Sequence, residues 1–166
     1  MPPNLEQEAV RITDELGRVV FVGALAVNQY SRYRTTRDID LVMAAPLNER
    51  KLIDLGYTKW QGSKGTSWLT PRGIKADFYT RDVGRIPVSW IFDKAVQVML
   101  GKKKIEVICL EGLVLAKHRA GRTTDIDDLR QLLTHRGRTI IWDLMKEIAE
   151  DHEIAELQRI SKALAL

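Results

Sequence analysis

Two aspartates, Asp38 and Asp40, stand two residues apart in the segment DIDLVM. The alternation of these acids with Ile39 and Leu41 is typical of a strand. It places both carboxylates on one face, about 6.5–7 Å apart along the chain. Carboxylates that converge from such positions can share a hard divalent cation, and Mg²⁺ prefers oxygen ligands. The alternative is that both acids are simply exposed where the strand begins.

A third acid, Asp77, lies in the segment GIKADFYT. Strand alternation buries Ala76 and Phe78 and leaves Asp77 on the opposite face with Lys75 and Tyr79. If this strand lies beside the first one, three carboxylates share a face. Three carboxylates around two magnesium ions suit nucleotidyl transfer, because the metals clamp a triphosphate, activate the attacking hydroxyl and stabilise the leaving pyrophosphate. Otherwise Asp77 is a surface acid on an edge strand.

The surrounding pattern predicts an α+β fold, with helices packed on a mixed sheet and a helical C-terminal part. We expect an α/β core over residues 1–109 and helices over 110–166, packed as one compact unit. The first predicted elements are a helix over 4–16, a strand ending at Gly23, a helix to about Tyr33, the DIDLVM strand and a helix in LNERKLIDLG. Antiparallel strands in YTKWQ, TSWLT and GIKADFYT follow, joined by glycine-containing turns, and then a hairpin in AVQVMLGKKKIEVICL. The chain ends with a helix in EGLVLAKHRAG, a helix in TDIDDLRQLLTH with Thr124 as N-cap, and two more helices.

Composition narrows the class of protein. The 166 residues are 45% hydrophobic and 29% charged, as in an ordinary globular protein, and the net charge of +4 mildly favours polyanionic partners. The single cysteine, Cys109, excludes an internal disulfide and a CxxC zinc motif. The N-terminal acids and the lack of a long apolar run predict a soluble cytoplasmic protein with no membrane partner.

Lys117 interrupts an apolar helical stripe formed by Leu110, Leu113 and Val114. It could reach an active-site phosphate or extend to water at the end of the stripe. Asp125 opens the next helix, where acids complement the helix dipole. A site role for Asp125, in a pair with Lys117, is the other interpretation.

Basic residues surround both motifs. Arg32, Arg34 and Arg37 precede the DIDLVM strand and could contact a triphosphate or an RNA backbone, or form a solvated loop. Arg34 and Arg37 are the stronger candidates for a site. Arg119 and Arg122 follow Lys117 and could extend a basic rim.

The segment VGALAVNQYSRYRTTRDIDLV resembles the first motif of the polymerase-beta-type nucleotidyltransferases. In that motif a strand ends in Gly-Gly or Gly-Ser, a helix follows, and the next strand carries two aspartates. The resemblance implies that Gly23 and Ala24 hold nucleotide phosphates at a helix N-terminus. It also implies that Asp38 and Asp40 bind metal and that Asp77 is the third carboxylate. Ala24 departs from the Gly-Ser form, since the phosphate-binding hydroxyl is missing.

The segment LVLAKHRAGRTTDIDDLRQLL resembles the signature of the AbiEii-like, toxin–antitoxin-associated branch of the same superfamily. On this resemblance Lys117 is the nucleotide-contacting lysine and Asp125 the downstream acid. Asp128 and Leu129 match the final Asp-Leu pair. The two resemblances together cover roughly residues 19–133.

The resemblance implies a magnesium-dependent nucleotidyltransferase that moves a nucleoside monophosphate from an NTP to a hydroxyl acceptor. It leaves open whether the acceptor is RNA, a protein or a small molecule, and whether a partner protein takes part. Two alternatives remain. The first is a weak or inert member of the fold that acts as a binding module or antitoxin partner, which Ala24 favours. The second is an ordinary α+β protein whose acids are surface residues.

Overall fold

The computed structural model describes residues 4–61 and 66–165 of the chain. Eight α-helices are present in these residues: α1 Leu5–Leu16, α2 Gly23–Tyr30, α3 Glu49–Asp54, α4 Val88–Asp93, α5 Leu110–Ala120, α6 Thr123–Arg136, α7 Trp142–Met145 and α8 Asp151–Leu164. The strands are β1 Val19–Val22, β2 Asp38–Met43, β3 Thr58–Lys59, β4 Ser67–Leu69, β5 Lys75–Tyr79, β6 Val96–Leu100 and β7 Lys103–Val107. A short 3₁₀ helix, Gly137–Thr139, links α6 to α7.

The strands form one mixed sheet in the order β3-β4-β5-β2-β1-β7-β6. Adjacent strands are parallel in the pairs β2/β5 and β1/β7 and antiparallel in the other four. The α+β prediction is therefore confirmed. The predicted β3-β4-β5 meander and β6/β7 hairpin are confirmed as well. The predicted turn between β3 and β4, at 62–65, lies outside the described residues.

The centre of the sheet is apolar because its strands are covered by helices. All four residues of β1 are buried. Helix α1 contacts β1, β2, β6 and β7, and α2 contacts β1 and β2. The two helices that follow the sheet in the chain, α5 and α6, also contact α2. The apolar side chains of the sheet and the helices form one continuous core. Among the described residues, no helix combines the length and apolarity needed to cross a membrane.

Three helix predictions were wrong in detail. Helix α2 ends at Tyr30 rather than near Tyr33, because the extended Ser31 closes it and its hydroxyl contacts the His135 ring at 2.9 Å. Helix α4 was not predicted, since its six residues are too few to show a helical period.

Helix α6 begins two residues earlier than predicted, so Thr124 is not its N-cap. Its N-cap is Arg122, whose backbone N–H donates to the Asp125 carboxylate at 3.3 Å. A carboxylate in the first turn thus accepts a hydrogen bond at the N-terminus of the helix, where a threonine hydroxyl was expected to be the acceptor.

Candidate active site

The parallel pairing of β2 and β5 brings the predicted acids together. Asp40 and Asp77 are register partners on these neighbouring strands, and Asp38 lies beside Lys75. The side chains of Asp38, Asp40 and Asp77 therefore share one face of the sheet. The prediction that the Asp77 strand lies beside the DIDLVM strand is confirmed. Asp38 is exposed, whereas Asp40 and Asp77 are half-buried.

Neighbouring side chains hold these carboxylates in place. The Ser67 hydroxyl, from β4, donates to Asp77, and the Lys75 ammonium lies 3.8 Å from the same carboxylate. The Tyr79 hydroxyl donates to Asp40 at 3.4 Å. Asp77 therefore has a hydrogen bond and a cation close by, while Asp40 has the hydrogen bond from the phenol and the more distant attraction of Lys117.

The electrostatic setting of Asp40 is unfavourable for its charged form. Burial, followed by the negative charge of Asp77, raises the pKa of Asp40 to about 6, against an ordinary value of 3.8. The same two carboxylates, together with burial, raise the pKa of the Tyr79 phenol. A cation bound between the acids would relieve this repulsion.

Gly23 allows the Asp40 carboxylate to lie close to the start of helix α2. It opens helix α2 with a φ of +66°, in the left-handed region that favours glycine. A Cβ at this position would overlap the Asp40 carboxylate and lie 3.0 Å from its Cβ. Helix α2 thus begins beside the Asp40 carboxylate, and its N-terminus has no side-chain cap hydrogen bond.

A cavity of about 370 Å³ opens beside Asp40 and Gly23. Its apolar lining comes from β1, α5 and the adjoining segments, and its polar lining is mostly cationic. The lining residues are Val22, Gly23, Asp40, Tyr79, Val83, Gly84, Arg85, Ile108, Leu113, Ala116, Lys117, Arg119, Ala120, Arg122 and Asp125. An apolar wall with cations on one side fits a ligand that has an aromatic ring and an anionic group.

The Lys117 ammonium is held by two buried acids at the edge of this cavity. It lies 3.1 Å from an oxygen of Asp125 and 2.8 Å from an oxygen of Asp128. The proposed pairing of Lys117 with Asp125 is confirmed. The same Asp128 carboxylate also accepts from the Tyr33 hydroxyl and from Arg34, whose Nη donates at 3.1 Å. Asp128 thereby ties the segment before β2 to helices α5 and α6.

Asp125 is charged in this arrangement. Burial acts to raise the pKa of Asp125, but the hydrogen bonds from Arg122 and Lys117 outweigh it and lower the pKa. Arg122 donates to Asp125 at 2.7 Å and lines the cavity through a largely exposed side chain.

The other predicted site residues lie elsewhere. Ala24 is buried behind Gly23 and does not line the cavity. Arg37 is exposed outside the cavity, and Arg34 is committed to Asp128. Asp38 and Asp77 share the face of Asp40 but lie beyond the cavity wall. Within 4–61 and 66–165, no three His, Cys, Asp or Glu side chains form a ready-made metal cluster.

Sequence reasoning overlooked several residues of the site. Asp128 was noted only as part of a motif, although an acid between Asp127 and Leu129 on the inner side of a helix is a signal for a buried pair. The contacts of Ser67 and Tyr79 with the acids depend on strand register, which the pattern alone does not fix. Nothing in the local sequence distinguishes Arg85 from other loop arginines.

Comparisons with known proteins agree with this geometry. Residues 5–165 match the family described as a nucleotidyl transferase of unknown function, DUF2204. The chain belongs to this family. No curated protein matches the sequence.

Solved structures show the same fold at low sequence identity. An H. pylori protein assigned as a nucleotidyltransferase has a TM-score of 0.55 at 15% identity, covering 95% of this chain and 91% of that one. A nucleotidyltransferase-like antigenic protein from Paracoccidioides brasiliensis gives 0.53 at 15% identity, covering 94% and 91%. ANT(2")-Ia, solved with adenylyl-2"-tobramycin, gives 0.50 at 13% identity, covering 96% and 95%.

Family and fold together confirm the resemblance to the nucleotidyltransferase superfamily. A family of this type implies a nucleotide as substrate. The assignment to the AbiEii-like branch stays a prediction, as do the roles of the individual site residues.

Proposed function

We propose that this protein is a magnesium-dependent nucleotidyltransferase, which transfers a nucleoside monophosphate from an NTP to a hydroxyl acceptor. The observation that carries the proposal is the pairing of Asp40 with Asp77 across parallel strands, beside a helix N-terminus opened by Gly23. An ordinary protein surface has no reason to set two half-buried carboxylates directly opposite each other, because like charges in this position destabilise the sheet.

The donor set fits magnesium. Asp38, Asp40 and Asp77 offer only carboxylate oxygens, which are the ligands that Mg²⁺ takes in phosphate-handling sites. The raised pKa of Asp40 marks the place where an added cation would be most stabilising. Because these three acids form no ready-made cluster, we infer that the phosphates of the nucleotide complete the coordination. Bound there, magnesium supplies charge neutralisation for the triphosphate and lowers the pKa of the acceptor hydroxyl.

The residues of the chain then have distinct tasks. The N–H groups at the start of α2 bind phosphate oxygens, with Gly23 keeping the approach open. The cavity beside Asp40 takes the nucleoside against its apolar wall. The acceptor oxygen forms a bond to the α-phosphorus as the bond to the α–β bridging oxygen breaks, and pyrophosphate leaves. Asp77 takes the proton of the acceptor hydroxyl.

Lys117 acts from the far side of the cavity. Its ammonium is buried and fixed by Asp125 and Asp128, so its charge reaches the cavity from a preset position. We propose that Lys117 and Asp125 orient the nucleotide, with Lys117 facing its phosphates. Arg37, which is exposed next to Asp38, is assigned to the path of the incoming triphosphate or acceptor.

Calorimetry tests the proposal. Each of the four NTPs is titrated into the protein with and without Mg²⁺, for wild type and for Asp38→Asn/Asp40→Asn. We expect binding that requires Mg²⁺ and that the double variant loses. Labelled NTPs are then incubated with tRNA, protein and small polyol acceptors to detect transfer.

A matched control variant distinguishes the loss of the site's carboxylates from a general change in net charge. Asp93→Asn/Asp143→Asn removes two exposed acids far from the cavity and should bind as wild type does. If folded wild-type protein binds none of the NTPs, the proposed enzyme activity is wrong. Equal NTP binding by wild type and Asp38→Asn/Asp40→Asn would show that these acids hold no metal that the nucleotide requires.

A second candidate is a weak or inert member of the fold that acts as a binding module, such as half of a toxin–antitoxin pair. Ala24 favours it, because the phosphate-binding hydroxyl of the Gly-Ser form is absent. The two candidates differ in turnover. Nucleotide binding without pyrophosphate release, over a broad set of acceptors, would support the inert module, and the Ala24→Ser variant would then be the first to assay for recovered activity.

A further inference from the structure

The turn between β5 and α4 has an uncommon backbone. Val83 and Ile86 exchange hydrogen bonds of 3.2 and 2.9 Å across a two-residue turn. Both residues of the turn are left-handed, Gly84 with a φ of +55° and Arg85 with a φ of +60°. Two successive positive φ angles define a type I′ turn, whose second position normally carries glycine.

The turn is braced from the helical part of the chain. Arg119 donates to the Gly84 carbonyl at 2.6 Å and to the Ile148 carbonyl at 3.0 Å. Its guanidinium is itself held by two 2.8 Å hydrogen bonds to Glu153. A Cβ on Gly84 would come within 3.2 Å of the Ala116 Cα, so the turn rests directly on the backbone of helix α5.

Arg85 takes the position of this turn where glycine is usual. Arg85 is the sole non-glycine residue with a positive φ among the residues that the structure describes. Left-handed backbone is unfavourable for a long side chain, and such outliers cluster at functional sites. The Arg85 side chain is exposed and lines the cavity beside Asp40, so packing does not explain its presence.

Charge distinguishes Arg85 from the other cations of the cavity. Lys117 is paired with Asp125 and Asp128, Arg119 with Glu153, and Arg122 with Asp125. In the described part of the chain, no carboxylate lies within ion-pair distance of Arg85. The charge of Arg85 contributes only weakly to the lowered pKa of Glu153, and the hydrogen bond from Arg119 is the main cause of that lowering.

We propose that Arg85 binds the triphosphate of the nucleotide. The braced left-handed turn presents to the cavity a guanidinium with no carboxylate partner among the described residues, and this group forms charge-assisted hydrogen bonds to terminal phosphate oxygens. This inference rests on the proposed function for the presence of a nucleotide in the cavity, and it adds a phosphate contact that neither sequence motif contains.

The test compares ligands that differ in their phosphates. Magnesium tripolyphosphate, the four NTPs, and the nucleoside of whichever NTP binds are titrated into wild type, Arg85→Asn and Arg85→Lys. Asparagine tolerates the left-handed backbone, so Arg85→Asn should fold with an unchanged or higher Tm. The control Arg81→Asn removes an exposed arginine that lies near the turn in sequence but not in the cavity lining.

We expect Arg85→Asn to bind tripolyphosphate and the NTP about tenfold or more weakly, with nucleoside binding unchanged. Arg85→Lys should recover part of the loss, and Arg81→Asn should match wild type. Triphosphate affinity within twofold of wild type in Arg85→Asn would overturn the assignment of Arg85 while leaving the proposed function intact. Wild-type protein that binds neither tripolyphosphate nor any NTP would overturn both.

Discussion

At the scale of single residues, the site is defined by the surroundings of the Asp40 carboxylate. Its carboxylate is half-buried, faces Asp77 and lies so close to Gly23 that an added Cβ there would overlap it. Burial and the charge of Asp77 destabilise the charged carboxylate unless a cation is bound. The metal-free protein therefore holds Asp40 at a cost in stability, which leads to two predictions.

The first prediction is that Asp40→Asn stabilises the metal-free protein. The native pKa of about 6 exceeds the ordinary value of 3.8, so the native state holds the Asp40 proton more tightly than the unfolded state does. Raising the pH from 4 through 6 therefore lowers the stability of wild type, by about 1–3 kcal/mol. The variant escapes this loss. Urea unfolding in a chelating buffer should show the gain at pH 7.5 and none at pH 4.

Asp38→Asn serves as the control, because Asp38 is exposed on the same strand. Its stability should follow wild type at both pH values. Equal stability of wild type and Asp40→Asn at pH 7.5 would contradict the proposed repulsion between Asp40 and Asp77.

The second prediction concerns Gly23. Gly23→Ala forces a Cβ into the space of the Asp40 carboxylate and places alanine at a φ of +66°. Gly101→Ala is a matched control, because Gly101 has a φ of +67° and nothing within 4 Å of its added Cβ. We expect Gly101→Ala to cost about 1–2 kcal/mol from conformation alone and Gly23→Ala to cost clearly more. Thermal unfolding measures both, and equal costs would show that Asp40 yields freely to the methyl group.

At the scale of elements, the order of strands decides which acids meet. The alternation in DIDLVM and GIKADFYT correctly predicts the burial of Ile39, Leu41, Ala76 and Phe78, because period two follows from strand geometry alone, but it misses Val42, which is buried on the face of the acids. The pairing of β2 with β5, which are separated by α3, β3 and β4, depends on long-range contacts that no local pattern encodes. The left-handed turn at Gly84 and Arg85 escapes prediction for the same reason, since it depends on Arg119 and helix α5.

The junction of α5 and α6 with the segment before β2 depends on a buried charge network. Lys117 lies between Asp125 and Asp128, both of which are almost fully buried. We predict that Lys117→Met destabilises the protein by about 3–5 kcal/mol, because it leaves two buried carboxylates short of a cation. Urea unfolding checks this value.

A surface pair gives the scale for comparison. Lys146 lies 3.2 Å from Asp143 with both side chains largely exposed, so Lys146→Met should change stability by about 0–1 kcal/mol. A cost for Lys117→Met no greater than this would mean that Lys117 is not part of the fold's framework. Its burial would then have to be explained by ligand binding alone.

At the scale of the whole molecule, the cavity joins the two parts of the chain that the sequence distinguishes. Gly23, at the start of α2, and Asp40, on β2, line it from the first part, and Leu113, Lys117 and Arg122 line it from the second. One apolar core runs through both parts. The expectation that residues 1–109 and 110–166 form a single compact unit can therefore be tested by measuring the cooperativity of unfolding.

We predict that both parts unfold in one transition and that a magnesium-bound NTP shifts both together. Trp60, Trp68 and Trp90 lie in the first part, so fluorescence reports mainly on it, while far-UV circular dichroism reports on the helices of both parts, with the larger share in the second. Because the ligand binds only the assembled cavity, a concentration of 100 times Kd should add about 2.7 kcal/mol and raise both midpoints by about 5–10 °C. Separate midpoints, or a shift in only one signal, would mean that the helical part is a distinct unit and that its cations take no share in nucleotide binding.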